Sequence, residues 1–206
     1  MNISLLRAYG ELLAEVKDHC QQYHYLHRYP DPRSLPFAYA LEIEGDLHAN
    51  DGRLNGLIVM KKPQHHKQRG MFGYPGLPTA WQVLDLARVW VHPCWQIQTA
   101  NGHALGMFSR MVSVMMRRVQ VDWLEHHPPV FPELPYHIEL IISYADLRFH
   151  TGTAYRAAGF AQVQRKEGDK ALFYRRLNAP RWKWTPNCEV QLPLIMGMPL
   201  IHKVMQ

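Results

Sequence analysis

One segment, residues 138–146, constrains the fold more than any other part of the chain. It is β-branched and apolar until it ends in Ser143, Tyr144 and Asp146. Such a run predicts a buried strand, and open α/β sheets place their ligands at the carboxyl ends of their strands. A short helix closing on Gly159 is predicted directly after it. The pattern indicates an α/β fold with ligand-binding groups at the end of this strand.

Hydrophobic periodicity elsewhere predicts one α/β domain built around a single sheet. The predicted strands cover 37–44, 54–60, 83–91, 138–145 and 171–176, and the predicted helices cover 4–25, 104–119 and 153–158. Residues 61–80 and 126–135 lack periodicity and are predicted to be loops. We expect a domain over residues 1–178 and a C-terminal extension over residues 179–206.

Composition sets the broad class of protein. Of 206 residues, 47% are hydrophobic and 19% charged, which suits a well-packed core and argues against disorder. No apolar run of about 18 residues exists, so neither a membrane span nor a membrane partner is expected. Early charges argue against a signal peptide, and three scattered cysteines argue against a disulfide framework. These features predict a cytoplasmic protein.

The segment Tyr155-x-x-x-Gly159-Phe160 resembles the last motif of the GNAT acyltransferase superfamily. The resemblance implies a GNAT-like α/β (α+β) fold, with a mixed, mostly antiparallel central sheet flanked by helices. It also implies that Tyr155 protonates the thiolate that leaves an acyl-CoA-type donor. The alternative is a core aromatic residue.

The GNAT superfamily also binds the cofactor pyrophosphate on backbone N–H groups at the start of a helix. The matching place here contains Asn101, Gly102 and Ala104. A helix N-terminus holds anions well, so Gly102 and Ala104 are the predicted cofactor-binding residues. The alternative is a helix capped by Asn101 with no cofactor.

A narrower pattern combines Ser-Tyr-Ala-Asp146, His150 and Tyr155 with Arg88 in Leu-x-Arg-x-Trp-Val and with His24-Tyr25. This combination resembles the Mom DNA-modification proteins of bacteriophages. The resemblance implies that adenine in double-stranded DNA becomes N6-carbamoylmethyladenine, which protects phage DNA from restriction. It places the reaction at a groove lined by residues of these motifs. The implied catalytic residues are Arg88, Ser143, Asp146 and Tyr155, and the implied substrate-binding residues include Tyr25, Asn101 and Tyr144.

Arg88 and Asp146 also stand out on physical grounds. Arg88 lies inside an apolar strand, where a buried charge is costly unless it is paired. It either bridges Asp85 or Glu139 structurally or faces a ligand. Asp146 ends a buried strand, where it is a candidate general base or metal ligand; the alternative is a helix N-cap.

A metal site is a further hypothesis from the same residues. Cys20, His24 and His27 share one face of the predicted first helix. Together with Asp146 and His150, His24 could form a mononuclear site. The resemblance suggests iron, with another divalent metal as the alternative.

Two basic, aromatic segments are candidates for contact with DNA. The net charge of +6 suits a polyanionic partner, although mildly basic proteins are also common for solubility alone. The predicted loop carries Lys61, Lys62, Lys67 and Arg69 beside Phe72 and Tyr74, and the tail carries Arg181, Trp182, Lys183 and Trp184. Cations beside planar rings suit phosphate contact and base stacking.

Two other functions fit the sequence. One is a GNAT N-acetyltransferase that acts on a small amine or a protein. The other is a non-catalytic DNA-binding protein on the same fold. The sequence leaves the oligomeric state open, with a homodimer as one alternative.

Overall fold

A single mixed sheet of seven strands organises the protein. The computed structural model describes residues 1–63, 82–96, 106–126, 138–149, 151–163 and 169–177. The strand order is β1-β2-β3-β4-β5-β7-β6, in which only β4 and β5 run parallel. The strands are β1 (Ile3–Arg7), β2 (Phe37–Ile43), β3 (Gly56–Lys61), β4 (Val83–Val91), β5 (Leu140–Asp146), β6 (Ala161–Gln162) and β7 (Lys170–Arg176). The predicted mixed, mostly antiparallel sheet flanked by helices is confirmed.

Helices cover both faces of this sheet. Helix α1 (Gly10–Gln22) packs on one face, here called the α1 face, against alanines of β2 and the larger Leu57 and Val59 of β3. Helices α2 (Met107–His126) and α3 (Thr153–Ala157) pack on the other, here called the α2 face. The main core lies on the α2 face, where the methionine-rich stripe of α2 meets the alternating apolar residues of β2, β3 and β4. Among the described helices, none is long and apolar enough to cross a membrane.

The predicted first helix, residues 4–25, is wrong at both ends. Residues Ile3–Arg7 form β1, which pairs antiparallel with β2, and Gly10 starts the helix with a φ of +51°. Helix α1 ends at Gln22. His24 and His27 therefore lie beyond the helix, so the predicted shared helical face with Cys20 does not exist.

A buried ionic network fastens α2 to the sheet. The carboxylate of Asp122 accepts hydrogen bonds from Arg118 Nε at 2.6 Å and from the Tyr39 hydroxyl at 2.7 Å. Arg7 donates to the Asp122 carbonyl at 2.7 Å and lies 3.9 Å from its carboxylate. Arg118 also donates to the Leu5 carbonyl. The network ties β1, β2 and α2 together around one buried aspartate.

Candidate active site

The parallel strands β4 and β5 pair over a short stretch and then separate. Their register runs from Val83 opposite Leu140 to Asp85 opposite Ile142. At the next residues, the Ser143 hydroxyl donates to the Leu86 carbonyl at 2.8 Å. A side chain of β5 thus satisfies a backbone group of β4. This opening lies towards the carboxyl ends of both strands, where open α/β sheets bind ligands.

Tyr155 reaches the opening from the α2 face. Its phenolic oxygen lies 3.1 Å from Ser143 Oγ, within hydrogen-bonding distance. The ring stacks on Phe173 with centroids 4.8 Å apart and meets Phe108 and Phe160 edge to face. Burial raises the pKa of Tyr155 to about 12, with the hydrogen bond to Ser143 acting in the opposite direction. The phenol is therefore protonated at neutral pH and able to donate a proton.

A glycine sets the start of the helix that carries Tyr155. Gly152, the N-cap of α3, has a φ of +75°. A Cβ at this position would lie 2.5 Å from Cζ of Phe173, the ring on which Tyr155 stacks. Any larger residue would displace this ring and the tyrosine, so the chain needs glycine here.

A β-bulge in β4 turns Arg88 towards the opposite face. Val59 pairs with Arg88 but Met60 pairs with Leu86, so Ala87 is an extra residue in β4. Before the bulge, Leu86 faces the core of the α2 face; after it, Arg88 and Trp90 face the α1 face. Strict alternation would have placed Arg88 in the apolar core beside Leu86.

Arg88 is buried without an acidic partner in the described part of the chain. It is 8% exposed, and its guanidinium donates to the Ala87 carbonyl at 2.6 Å and to the Arg28 carbonyl at 3.1 Å. Asp85 interacts with it electrostatically but forms an ion pair with Lys61 at 3.4 Å, and Glu139 accepts from Gln82. The predicted structural bridges to Asp85 and Glu139 are thus not formed. Burial lowers the pKa of Arg88, because removing an unpaired cation from water disfavours its charged form.

Tyr25 joins Arg88 on the α1 face. Burial raises the pKa of its phenol, Arg88 lowers it and Asp146 raises it, so both charges lie close to this ring. The ring also contacts the rings of His24 (4.5 Å) and Phe149 (5.4 Å). The structure thus places Arg88 and Asp146 within electrostatic range of Tyr25, although the three residues come from separate segments of the chain.

Asp146 is held by a neighbouring arginine. Its carboxylate accepts from the Arg148 backbone N–H at 3.0 Å and from the Arg148 guanidinium at 3.0 and 2.6 Å. These hydrogen bonds lower the pKa of Asp146 to about 2. A carboxylate of this kind accepts protons poorly at neutral pH, which weighs against a general base. The predicted alternative, a helix N-cap, is also wrong, because Gly152 caps α3 and Asp146 instead closes the turn after β5.

The predicted metal ligands do not form a ready site. Both oxygens of Asp146 are bound by Arg148, and His24 Nδ1 accepts from the Leu26 N–H at 3.2 Å. Across the residues that the structure describes, no group of three or more His, Cys, Asp or Glu side chains is placed to hold a metal ion. His150 lies outside the described residues, so iron binding stays a prediction.

The predicted DNA-contact lysines belong partly to the sheet. Lys61 is the last residue of β3 and pairs with Asp85, so it is not a loop cation. Burial lowers the pKa of Lys62 to about 8. Tyr74 lies outside the described residues. So do the remaining residues of the basic loop, the tail and the predicted pyrophosphate site, namely Lys67, Arg69, Phe72, Asn101, Gly102, Ala104 and residues 178–206.

Sequence reasoning missed three features of the opening. Ala87 forms the bulge, the Leu86 carbonyl accepts from Ser143, and the Arg28 carbonyl accepts from Arg88. The last two are backbone groups, which carry no sequence signal. An arginine two residues after an apolar residue in a buried strand was the one sign that alternation breaks near Ala87.

Comparison with known proteins shows the fold. No family model matches the chain, and no curated protein matches it in sequence. Arabidopsis thaliana NAA60 in complex with acetyl-CoA superposes with a TM-score of 0.52 and 12% identity, covering 86% of this chain and 100% of that one. Two further matches are the PaiA N-acetyltransferase of Thermoplasma acidophilum in complex with coenzyme A (0.45, 12%, 85% and 99%) and the GNAT domain of S. lividans PAT (0.41, 12%, 84% and 89%). This protein has a GNAT-like fold, with its candidate site where β4 and β5 separate.

Proposed function

We propose that this protein transfers an acyl or acyl-derived group from a thioester donor to a nitrogen atom at the opening between β4 and β5. The observation that carries the proposal is the placement of a protonated Tyr155 phenol beside Ser143 at this opening. A thiolate that leaves a thioester needs a proton. On the α2 face of the opening, Tyr155 is the described side chain that can supply this proton.

The reaction needs few groups of the protein. For transfer of an acyl group, the nitrogen attacks the thioester carbonyl carbon, the C–S bond breaks, and the departing thiolate takes the Tyr155 proton, which solvent then replaces. Ser143 fixes the position of the phenolic oxygen, and the Phe173 ring fixes its plane. The proton that the nitrogen loses passes to solvent, because Asp146 is too weak a base to hold it at neutral pH.

Arg88 supplies the second element of the proposal, a buried cation on the α1 face. Its charge is not neutralised by a described carboxylate, so an anionic or carbonyl oxygen of a ligand is its natural partner. Tyr25 and Phe149 offer rings beside it on which a planar group could stack.

We propose adenine in double-stranded DNA as the acceptor. The support is the resemblance to the Mom proteins, the net charge of +6, and the grouping of Arg88, Tyr25 and Asp146 at one site. Adenine's amino group is buried in the duplex, so the base must flip out to react. A flipped adenine would place its ring against Tyr25 and a neighbouring phosphate within reach of Arg88.

A small amine or a protein amine is the second candidate acceptor. The superposition on NAA60, which was solved with acetyl-CoA, favours it. This alternative keeps the thioester donor and Tyr155 and changes only the acceptor. It predicts acetyl transfer from acetyl-CoA without DNA.

Mass analysis of nucleosides separates the two acceptors. Plasmid DNA from expressing cells is digested to nucleosides and weighed, with Tyr155→Phe as the test variant. Tyr174→Phe is the matched control, because the Tyr174 hydroxyl is buried and has no hydrogen-bond partner among the residues that the structure describes. We expect a heavier adenine nucleoside with the wild type and with Tyr174→Phe, and much less with Tyr155→Phe. Unmodified nucleosides from cells with soluble wild-type protein would rule out DNA adenine and leave the amine acceptor.

A further inference from the structure

A second cluster of reactive groups lies beyond the end of β4, apart from the opening. Cys94 Sγ lies 2.8 Å from His92 Nδ1, and His92 Nε2 lies 3.0 Å from Asp51 Oδ2. The His92 side chain is 7% exposed, whereas Cys94 is partly exposed and Asp51 is 40% exposed. A thiol, an imidazole and a carboxylate therefore form a hydrogen-bonded series, and the cysteine that carries the thiol is partly exposed.

The hydrogen bonds fix which nitrogen of His92 carries the proton. Nδ1 accepts the Cys94 backbone N–H at 3.1 Å, so Nδ1 presents a lone pair and Nε2 carries the hydrogen towards Asp51. The thiol of Cys94 lies within 2.8 Å of the same lone pair. Nδ1 takes the thiol proton as it gives up the hydrogen bond from the Cys94 N–H, and Asp51 is placed to stabilise the imidazolium that forms. Arg53, which bonds to Asp51, holds the pKa of that carboxyl far below its usual range, so Asp51 stays charged.

The thiol itself needs this base. Burial and the Asp51 charge raise the pKa of Cys94, so the sulfur is protonated at neutral pH. A protonated thiol reacts slowly unless a neighbouring base removes its proton in the reaction.

A buried nitrogen with no partner among the described residues lies near the same cluster. His19 is 5% exposed, and its Nε2 is buried with no hydrogen-bond partner in the part of the chain that the structure describes. The His19 ring lies 4.2 Å from the Trp90 ring, which in turn lies 5.7 Å from the His92 ring. His19 also interacts electrostatically with Arg53, His92 and Asp51. Burial and Arg53 lower the pKa of His19 to about 4, so it is neutral at pH 7. His19 Nε2 is thus a buried, neutral atom near Cys94, His92 and Asp51 that is suited to a hydrogen bond with a bound molecule.

We propose that Cys94 is a second nucleophile, which takes an acyl group from a thioester with His92 as base and Asp51 as the group that orients His92. His92 removes the thiol proton, the sulfur attacks the thioester carbonyl carbon, and the original C–S bond breaks. The departing thiolate takes the proton from His92, so a new thioester on Cys94 and a free thiol are formed without an oxidant. The identity of the donor as a thioester rests on the proposed function.

The first test uses acetyl-CoA as the probe. The full-length protein is incubated with acetyl-CoA, and its intact mass and peptides are measured. We expect one acetyl group on Cys94, none at that position in Cys94→Ser, and an unchanged yield in Cys20→Ser, since Cys20 is buried at 0% exposure. Acetyl transfer to a nitrogen acceptor without any acetyl-Cys94, even at early times, would overturn the acyl-transfer step while leaving the proposed function intact.

The second test measures the activated thiol without a thioester. The rate of alkylation of Cys94 by iodoacetamide is followed by peptide mass in the wild type, His92→Asn and Asp51→Asn. Loss of the base should lower the rate about a hundredfold, and loss of the carboxylate should lower it about tenfold. Equal rates in all three proteins would overturn the proposal, and Asp51→Asn keeps this test valid if His92→Asn does not fold.

Discussion

Two buried arginine sites of this protein differ in how their charge is compensated. At the α2 face, Arg7 and Arg118 share the carboxylate of Asp122, which also accepts from Tyr39. At the α1 face, Arg88 meets backbone carbonyls and no described carboxylate pairs with it. At the first site, both cations have a carboxylate partner within the protein. The second leaves a cation for a ligand.

From this difference we infer that the Asp122 site serves stability and propose that Arg88 serves function. Breaking a buried ion pair leaves an uncompensated charge and costs several kcal/mol, so Asp122 is expected to be important for folding. Arg88 bears such a cost already in the native state, because burial lowers its pKa. Sites that violate the usual rules of burial are the expected positions of function. The β-bulge at Ala87 supports this view, since it removes Arg88 from the apolar core.

Removing Arg88 should have the largest effect on activity. We expect Arg88→Ala to lower the rate of group transfer about a thousandfold, because the bound substrate loses its contact with a buried cation. Its folding should change little or improve, since an unpaired buried charge is lost. Arg110→Ala is the matched control, because Arg110 is exposed and, within the described part of the chain, its side chain donates to the Met1 carbonyl alone. Nucleoside mass and urea unfolding measure the two effects.

Removing Asp122 should lower the stability of the protein and leave its transfer rate unchanged. We expect Asp122→Ala to lower the free energy of unfolding by about 3 kcal/mol, since Arg7 and Arg118 lose their shared partner. Urea unfolding measures this loss. At a temperature where the variant is folded, its transfer rate should equal that of the wild type. A variant of unchanged stability would show that the α2-face network is not the structural site that the comparison requires.

Tyr155→Phe should lower the transfer rate about a hundredfold, because the leaving thiolate loses its proton donor. The Phe173 stack is retained, so stability should fall by little. The burial that raises the pKa of Tyr155 to about 12 predicts that activity does not fall through loss of this proton below about pH 11. A steep loss between pH 8 and 10 that Tyr155→Phe abolishes would contradict this assignment.

The smallest expected effect is a change in how much stability the protein loses at acid pH. The pKa of His19 is lowered from 6.5 to about 4, so between these values the unfolded chain binds more protons than the native protein. Stability is therefore full above about pH 6.5 and falls as the pH approaches 4. His19→Gln should flatten this slope. Because burial also lowers the pKa of His126, only the difference between the two proteins, measured by urea unfolding at pH 7.5 and 5, reports on His19.

Sequence patterns predicted the elements around the site well. The predicted strand over residues 83–91 matches β4, and the predicted helix over 153–158 matches α3 within one residue. Both are regular segments bounded by clear breaks, which is where hydrophobic periodicity works best. Ser143 and Tyr155, which contact each other, are also close in sequence, because one short connection joins β5 to α3.

Other features depend on contacts between distant residues. β1 is a short edge strand whose pairing with β2 is set by tertiary structure, so its residues were taken into a helix. The bulge at Ala87 depends on the register with β3. Asp51 meets His92 only because the loop after β2 folds against the end of β4, so the Cys94 cluster had no local signal. The position of Asp146 at a strand end predicted a general base, but this position does not reveal that Arg148 binds the carboxylate and lowers its pKa.

The most direct test of the central claim compares Arg88→Ala and Arg118→Ala in one transfer assay. DNA from cells that express each protein at equal soluble levels is digested, and the fraction of modified adenine is measured by mass. The comparison predicts modified adenine with the wild type and with Arg118→Ala, and none with Arg88→Ala. Equal modification by both variants, or its loss only in Arg118→Ala, would contradict the assignment of Arg88 as the cation that awaits a ligand.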